Sequence, residues 1–225
     1  DALLLPLASM ALVGFFIARA ERRDGERLEA QSELARAKDA MLRSQLSPHS
    51  LFNTLNALAE LALRDPEATE RALLDLSDLY EQMLRMSALE QITLGEERAF
   101  LERYLALQSM RLGDRLHLEW TWDPALDGLR VPPLLLQPLA ENAIKHGIAC
   151  EAEGGALHLR AWRERGFLGI EVRNTGRPPG ARRPGGTGLA NLEGRLRLAY
   201  GGRATFSLER DGAWTRATLL LPEAP

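Results

Sequence analysis

The chain has 225 residues, 45% of them hydrophobic and 26% charged, enough for one large or two modest domains with proper cores. Its formal net charge of -3 excludes a globally basic surface, so no nucleic-acid partner is expected. The single cysteine, Cys150, excludes an internal disulfide framework and suits a reducing compartment.

Residues 3–18 are almost wholly apolar, and Arg19, Arg22 and Arg23 follow at once. This run is shorter than the roughly 20 residues that span a bilayer. The chain opens at Asp1 with no initiator methionine, so residues 1–18 are expected to be the end of a transmembrane helix. A signal peptide would carry its charges before the apolar run, not after it. Arginines on the C-terminal side place the following chain in the cytoplasm. A buried core helix is the alternative for a run of this length.

Residues 19–47 are charged and rich in Ala, Glu and Arg. Leu28, Ala35 and Leu42 recur every seven positions, as a coiled-coil seam does, and His49 and Asn56 continue the count. A signalling coiled coil over 19–47 is expected, with a solvated single helix as the alternative. The segment Leu42-Arg-Ser-Gln-Leu-Ser-Pro-His49-Ser-Leu-Phe-Asn-Thr-Leu-Asn56 then sets a histidine directly after a proline inside a helix-forming stretch. Pro48 removes a backbone donor and disturbs the helix beside a titratable imidazole. Alone, such a histidine reads as an ordinary surface residue.

Asp65-Pro66 ends this stretch, and Pro66 suits the first turn of a new helix. There Leu73, Leu76, Leu79, Tyr80, Met83 and Leu84 form an apolar stripe. An antiparallel hairpin of helices over 26–63 and 67–88 follows, its core spanning residues 40–90. Two hairpins pairing would bury both stripes in a four-helix bundle.

Thr93-Leu-Gly-Glu96 has capping-box spacing and opens a helix running to Leu112, with Phe100, Leu101, Tyr104, Leu105 and Gln108 on its apolar side. Beyond it, period-two alternation marks strands at 116–120, 157–161, 168–172, 206–208 and 217–221. Two helices intervene, over 133–146 and 189–199. Mostly antiparallel strands with helices on one face make residues 93–225 an α/β sandwich, and the whole chain α+β.

Two elements of this second region suit a nucleotide. In Leu136-Gln-Pro-Leu-Ala-Glu-Asn142-Ala-Ile-Lys-His-Gly147, Asn142 could give magnesium a hard oxygen ligand. Lys145 and His146 share its helical face and could reach phosphate oxygens. The second element runs from Asn174 to Gly188 and holds Asn-Thr-Gly176 and Gly185-Gly-Thr187-Gly188-Leu189-Ala-Asn191. A glycine-rich run opening a helix lets backbone N–H groups approach phosphate. Pro178, Pro179, Pro184 and three arginines give it the look of a mobile lid. There is no Walker signature and no kinase-type glycine loop.

The His49 and Asn142 clusters, about ninety residues apart, together with Leu101-Glu-Arg-Tyr-Leu-Ala-Leu-Gln-Ser-Met-Arg111, resemble the LytS-type sensor histidine kinases. The resemblance covers residues 40–222 and implies a dimerising, His-bearing hairpin followed by a Bergerat-type (GHKL) ATP-binding domain. It implies His49 as phosphoacceptor, with Asn53 its motif partner, and ATP and Mg as cofactors, with Asn142 the magnesium ligand. Lys145 and His146 would stand near the phosphates and Asn174 and Gly176 near the adenine. Gly186, Thr187, Gly188 and Leu189 would form the lid, with Asn191 and Arg195 beside it. A homodimer in the bacterial inner membrane, with its kinase core in the cytoplasm, would pass the phosphoryl group to a response regulator, the LytTR type being one candidate.

Three positions depart from the family pattern. Ser50 replaces a phenylalanine. Asn174 replaces the adenine-reading aspartate, and Pro178 stands where a second glycine belongs. An amide oxygen still accepts from the adenine amino group, without charge assistance. Pro138 occupies the position of the glutamate base in hydrolysing relatives, which disfavours ATP hydrolysis and leaves transfer to histidine untouched. A nucleotide-poor dimeric scaffold and a GHKL ATPase remain the rival readings.

Overall fold

In the computed structural model the described residues are 55–56, 58–176 and 187–223. The apolar run at 3–18, Leu28, Ala35, Leu42, Pro48, His49, Ser50, Asn53, Pro178 and Gly186 lie outside them. Among the described residues no helix is long and apolar enough to cross a membrane.

Residues 58–62 are helical and turn over through Arg64 and Asp65, whose N–H groups donate to the Leu61 carbonyl. Asp65 then caps helix α1 (Pro66–Ser87): its Oδ1 accepts from Ala68 N at 2.9 Å, and Pro66 fills the first turn, where no N–H is needed. The buried row of α1 is Thr69, Ala72, Leu76, Leu79, Met83 and Met86. Leu73 and Leu84, expected in that row, are 45% and 46% exposed. They sit one position off the 3.6-residue seam that faces the next helix, and Leu63 and Leu74 are exposed as well.

Strand β1 (Ile92–Thr93) leads into helix α2 (Leu94–Leu112) through a complete capping box. Thr93 Oγ1 accepts from Glu96 N at 3.1 Å, and Glu96 Oε2 accepts from Thr93 N at 2.7 Å. These bonds hold the Glu96 carboxyl below its ordinary pKa. α2 packs on α1 and buries Phe100, Leu101, Tyr104, Leu105 and Gln108, the expected face. β1 pairs with the short β3 (Arg130–Val131), an antiparallel ribbon too brief to leave a sequence period.

The main sheet has strand order β2-β4-β5-β7-β6. Its strands are β2 (Leu116–Trp122), β4 (Gly155–Glu164), β5 (Phe167–Asn174), β6 (Thr205–Asp211) and β7 (Trp214–Pro222). All pairs are antiparallel except β2 with β4, which run parallel because the chain crosses over through helix α3 (Leu136–His146) between them. Helix α4 (Thr187–Tyr200) follows β5.

Alternation puts Leu157, Leu159, Ile170, Val172, Ala217 and Leu219 on the face that the helices cover, all buried. Each such leucine, isoleucine or valine contributes about 2 kcal/mol on burial, so this face is the core of the unit. The opposite face is polar: Arg173 donates to His158 Nδ1 at 2.9 Å, and Arg216 lies 3.2 Å from Glu171. The four tryptophans all belong to strands. Trp120 and Trp122 stand edge to face on β2, Trp162 on β4 covers Gly169, and Trp214 on β7 lies under Arg173.

Candidate nucleotide site

Helix α3 carries the site residues on its last two turns. It is amphipathic, with Leu136, Leu139, Ala140, Ala143 and Ile144 buried, while Asn142 is half-buried and Lys145 and His146 are exposed. Cations in the last turn complement the negative end of the helix dipole and leave Lys145 and His146 reaching outward. The helix stops at Gly147, whose N–H bonds the Ala143 carbonyl at 3.0 Å.

The strand-to-loop junction after β5 meets that helix end directly. A Cβ on Gly147 would lie 2.0 Å from Asn174 Nδ2 and 2.7 Å from the Ala143 carbonyl oxygen. A Cβ on Gly176, whose φ is +107°, would lie 2.9 Å from the Gly147 carbonyl. Two glycines therefore let two backbones touch where side chains would hold them apart. Asn174 is 3% exposed, and its Nδ2 donates to the Thr175 carbonyl at 2.8 Å. One of its two N–H donors is thus engaged, and Oδ1 is an acceptor. Thr175 fixes the junction further: its Oγ1 accepts from Ala156 N at 2.8 Å and its N–H donates to the Ala156 carbonyl at 3.0 Å.

α3 packs on β5 and against α4. That second helix is the one that opens with Thr187, Gly188, Leu189 and Asn191. A Cβ on Gly188 would meet nothing within 4 Å, so this glycine faces open space. The donor set suits a magnesium nucleotide: an amide oxygen for the metal, two exposed cationic or polar side chains for phosphate, and a buried amide acceptor for a base. Helix α1 also comes near. Burial raises the Tyr80 phenol, and the Glu141 carboxylate beside Asn142 raises it further.

Arg195 reaches back to the start of α3. Its guanidinium donates to the Pro133 and Leu134 carbonyls at 2.5 and 2.6 Å, at the opposite end of α3. Facing it is a residue that the sequence reading did not single out, Glu97, fully buried on α2. Its carboxyl accepts from the N–H groups of Leu134, Leu135 and Leu136, the last two at 3.1 Å. Burial pushes this carboxyl up to about 7, against the pull of those N–H donors and of Arg195. A signal existed: Glu97 precedes Phe100, Leu101 and Tyr104 by three, four and seven positions, so it is a charge on the apolar stripe.

Residues 37–116 match the family model described as Histidine kinase. The chain is 30% identical over 200 residues to the sensor histidine kinase BtsS of Escherichia coli (strain K12), covering 88% of this chain and 36% of that protein. It is 29% identical over 208 residues to the sensor protein LytS of Staphylococcus haemolyticus, covering 86% of this chain and 36% of that protein. It thus spans about a third of the length of these curated relatives. Among solved structures, a bacterial phosphotransferase matches with a TM-score of 0.50 and 18% identity over 81% of this chain and 95% of that one, a likeness of fold. The motif order along the sequence, the sandwich that brings Gly147 and Asn174 together, and these relatives agree: over most of its length the chain is similar to the LytS-type sensor histidine kinases.

Proposed function

We propose that the chain is the kinase core of a membrane sensor that phosphorylates its own His49 from Mg-ATP. The meeting of the Asn142 helix with the Asn174–Gly176 junction supports this reading most directly. In it Asn142 supplies the magnesium ligand, Lys145 and His146 the phosphate contacts, and Asn174 Oδ1 accepts from the adenine amino group. Residues 186–191 line the phosphate side. Neutral His49 attacks the γ-phosphorus in line and ADP leaves, so catalysis is mainly positioning and charge neutralisation. Glu141, next to Asn142, is the candidate acceptor for the imidazole proton.

The division of labour follows the same reading. Residues 1–18 end a transmembrane helix, 19–47 transmit the signal, 40–90 dimerise and present His49, and 93–225 bind ATP. The uncovered Leu63, Leu73, Leu74 and Leu84 support a hairpin dimer, since a second hairpin would bury them. Phosphohistidine then passes its group to the aspartate of a response regulator of LytTR type, on the cytoplasmic side of the bacterial inner membrane.

Incubation with γ-labelled ATP and magnesium tests this. Acid-labile, alkali-stable label is expected on the protein and should vanish in His49→Gln and in Asn142→Ala. Label persisting in His49→Gln would sink the assigned acceptor. Absence of nucleotide binding would favour a scaffold, and free phosphate without labelled protein an ATPase.

A further inference from the structure

Helix α3 begins without a cap of its own. Its N-cap position is Leu135, no side chain within the helix bonds the first N–H groups, and no acidic residue stands in the first turn. The orphan donors of that turn are met from outside, by Glu97 of α2. A carboxylate there also faces the positive end of the helix dipole.

The residue just before the helix is unusual in its backbone. Leu134 has φ +57°, a left-handed conformation that costs a β-carbon-bearing residue about 1–2 kcal/mol. Such a conformation persists only where the surroundings over-determine it. Here they do: the Leu134 side chain is 1% exposed, its N–H donates to Glu97, and its carbonyl accepts from Arg195 at 2.6 Å. The two peptide units flanking Leu134 are therefore each held at the N–H by Glu97 of α2 and at the C=O by Arg195 of α4. They set the direction in which α3 leaves for Asn142.

We propose that Glu97 and Arg195 form a clamp on Leu134 that fixes the Asn142 helix relative to the helix after the lid, making both of them positioning residues for phosphoryl transfer. The proposal rests on the kinase reading above. Neither side chain touches nucleotide. Their effect is exerted through the backbone, eight residues before the magnesium ligand. The base-reading contacts at Gly147, Asn174 and Gly176 lie at the other end of α3 and do not depend on the clamp. Loss of the clamp therefore reduces turnover more than nucleotide affinity.

The test uses Glu97→Gln, Arg195→Lys and the double variant, assayed well below their melting temperatures. Glutamine keeps the volume and loses one acceptor oxygen; lysine keeps the charge and loses the fork that spans two carbonyls. Each single variant is expected to lower the rate of His49 labelling at saturating Mg-ATP by about tenfold or more, while ADP affinity changes less than about threefold. Because both act on the same two peptide units, the double variant should lose about as much as the worse single one, where independent sites would multiply. Unchanged turnover, equal loss of turnover and affinity, or multiplicative losses would overturn the clamp.

Amide hydrogen exchange over residues 134–146 in the nucleotide-free protein separates the two readings. Faster exchange there in both single variants, with the strands β4 and β5 unchanged, is expected. Unaltered exchange refutes the clamp even if the protein is a kinase. A wild-type protein that takes no label refutes the kinase reading, while the exchange data still report on the clamp. Should Glu97→Gln fail to fold, Glu97→Asp keeps the charge one methylene short of the three N–H groups and is read in the same way.

Discussion

The two ends of helix α3 follow opposite rules. At its start Glu97 and Leu134 are buried, and Glu97 and Arg195 bond the same stretch of backbone, locking three elements around Leu134. At its finish Lys145 and His146 are exposed, Asn142 is half-buried, and only the close approach of Gly147 to Asn174 defines the geometry. An eleven-residue helix is short enough to act as a rigid rod. Fixing one end then places groups at the other without burying them, which a polar ligand site requires.

The largest effect should come from the loose end, where space is least. Gly147→Ala would drive a Cβ to within 2.0 Å of Asn174 and 2.7 Å of a backbone oxygen, neither able to yield easily. A loss of about 3 kcal/mol in urea unfolding is expected, with nucleotide binding lost beyond detection in calorimetry. Wild-type binding in this variant would show that the two backbones are not required to touch.

The fixed end can be probed by pH. The folded-state pKa of Glu97, about 7, exceeds its ordinary value of 4.5, so the folded protein holds an extra proton between them. Its contribution is thus fully present below pH 4.5 and is lost as pH rises to about 7, roughly 3 kcal/mol across that window. Unfolding free energies of wild type minus Glu97→Gln should fall over this range and level off above it. A flat difference would mean that Glu97 is ionised throughout.

Smaller effects follow from exposed groups. Lys145→Met should raise the KM for Mg-ATP about tenfold and leave the melting temperature in place, since the ammonium is exposed and serves only the phosphates. A fall in stability without a change in KM would move Lys145 to a structural role. Thr93→Ala removes half of the capping box and should cost about 1 kcal/mol in thermal unfolding, with no effect on nucleotide affinity. Weakened nucleotide binding would show that the start of α2 also serves the site.

The same contrast explains what could be read from the sequence. Local devices were legible. The capping box at Thr93 and Glu96, the proline at the start of α1, and the five strands of the main sheet all leave patterns within a few residues. What stayed hidden was made by distant partners. The β1–β3 ribbon joins two residues to two others nearly forty positions away, and the parallel placement of β2 on β4 leaves no period of its own. Arg195 carried a motif position beside the lid, and its guanidinium turns to Pro133 and Leu134, more than sixty positions back in the chain. Glu97 followed the capping glutamate and looked like one more acid in a first turn; only the fold shows that it caps a different helix.

The placement of the tryptophans has a practical result. All four stand on β2, β4 and β7, and none on the helical hairpin or on α4. Tryptophan fluorescence, excited selectively, is therefore an optical signal of the sheet alone. Its unfolding transition, followed beside the helical dichroism of the whole chain, would show whether the sandwich melts before the helices or together with them.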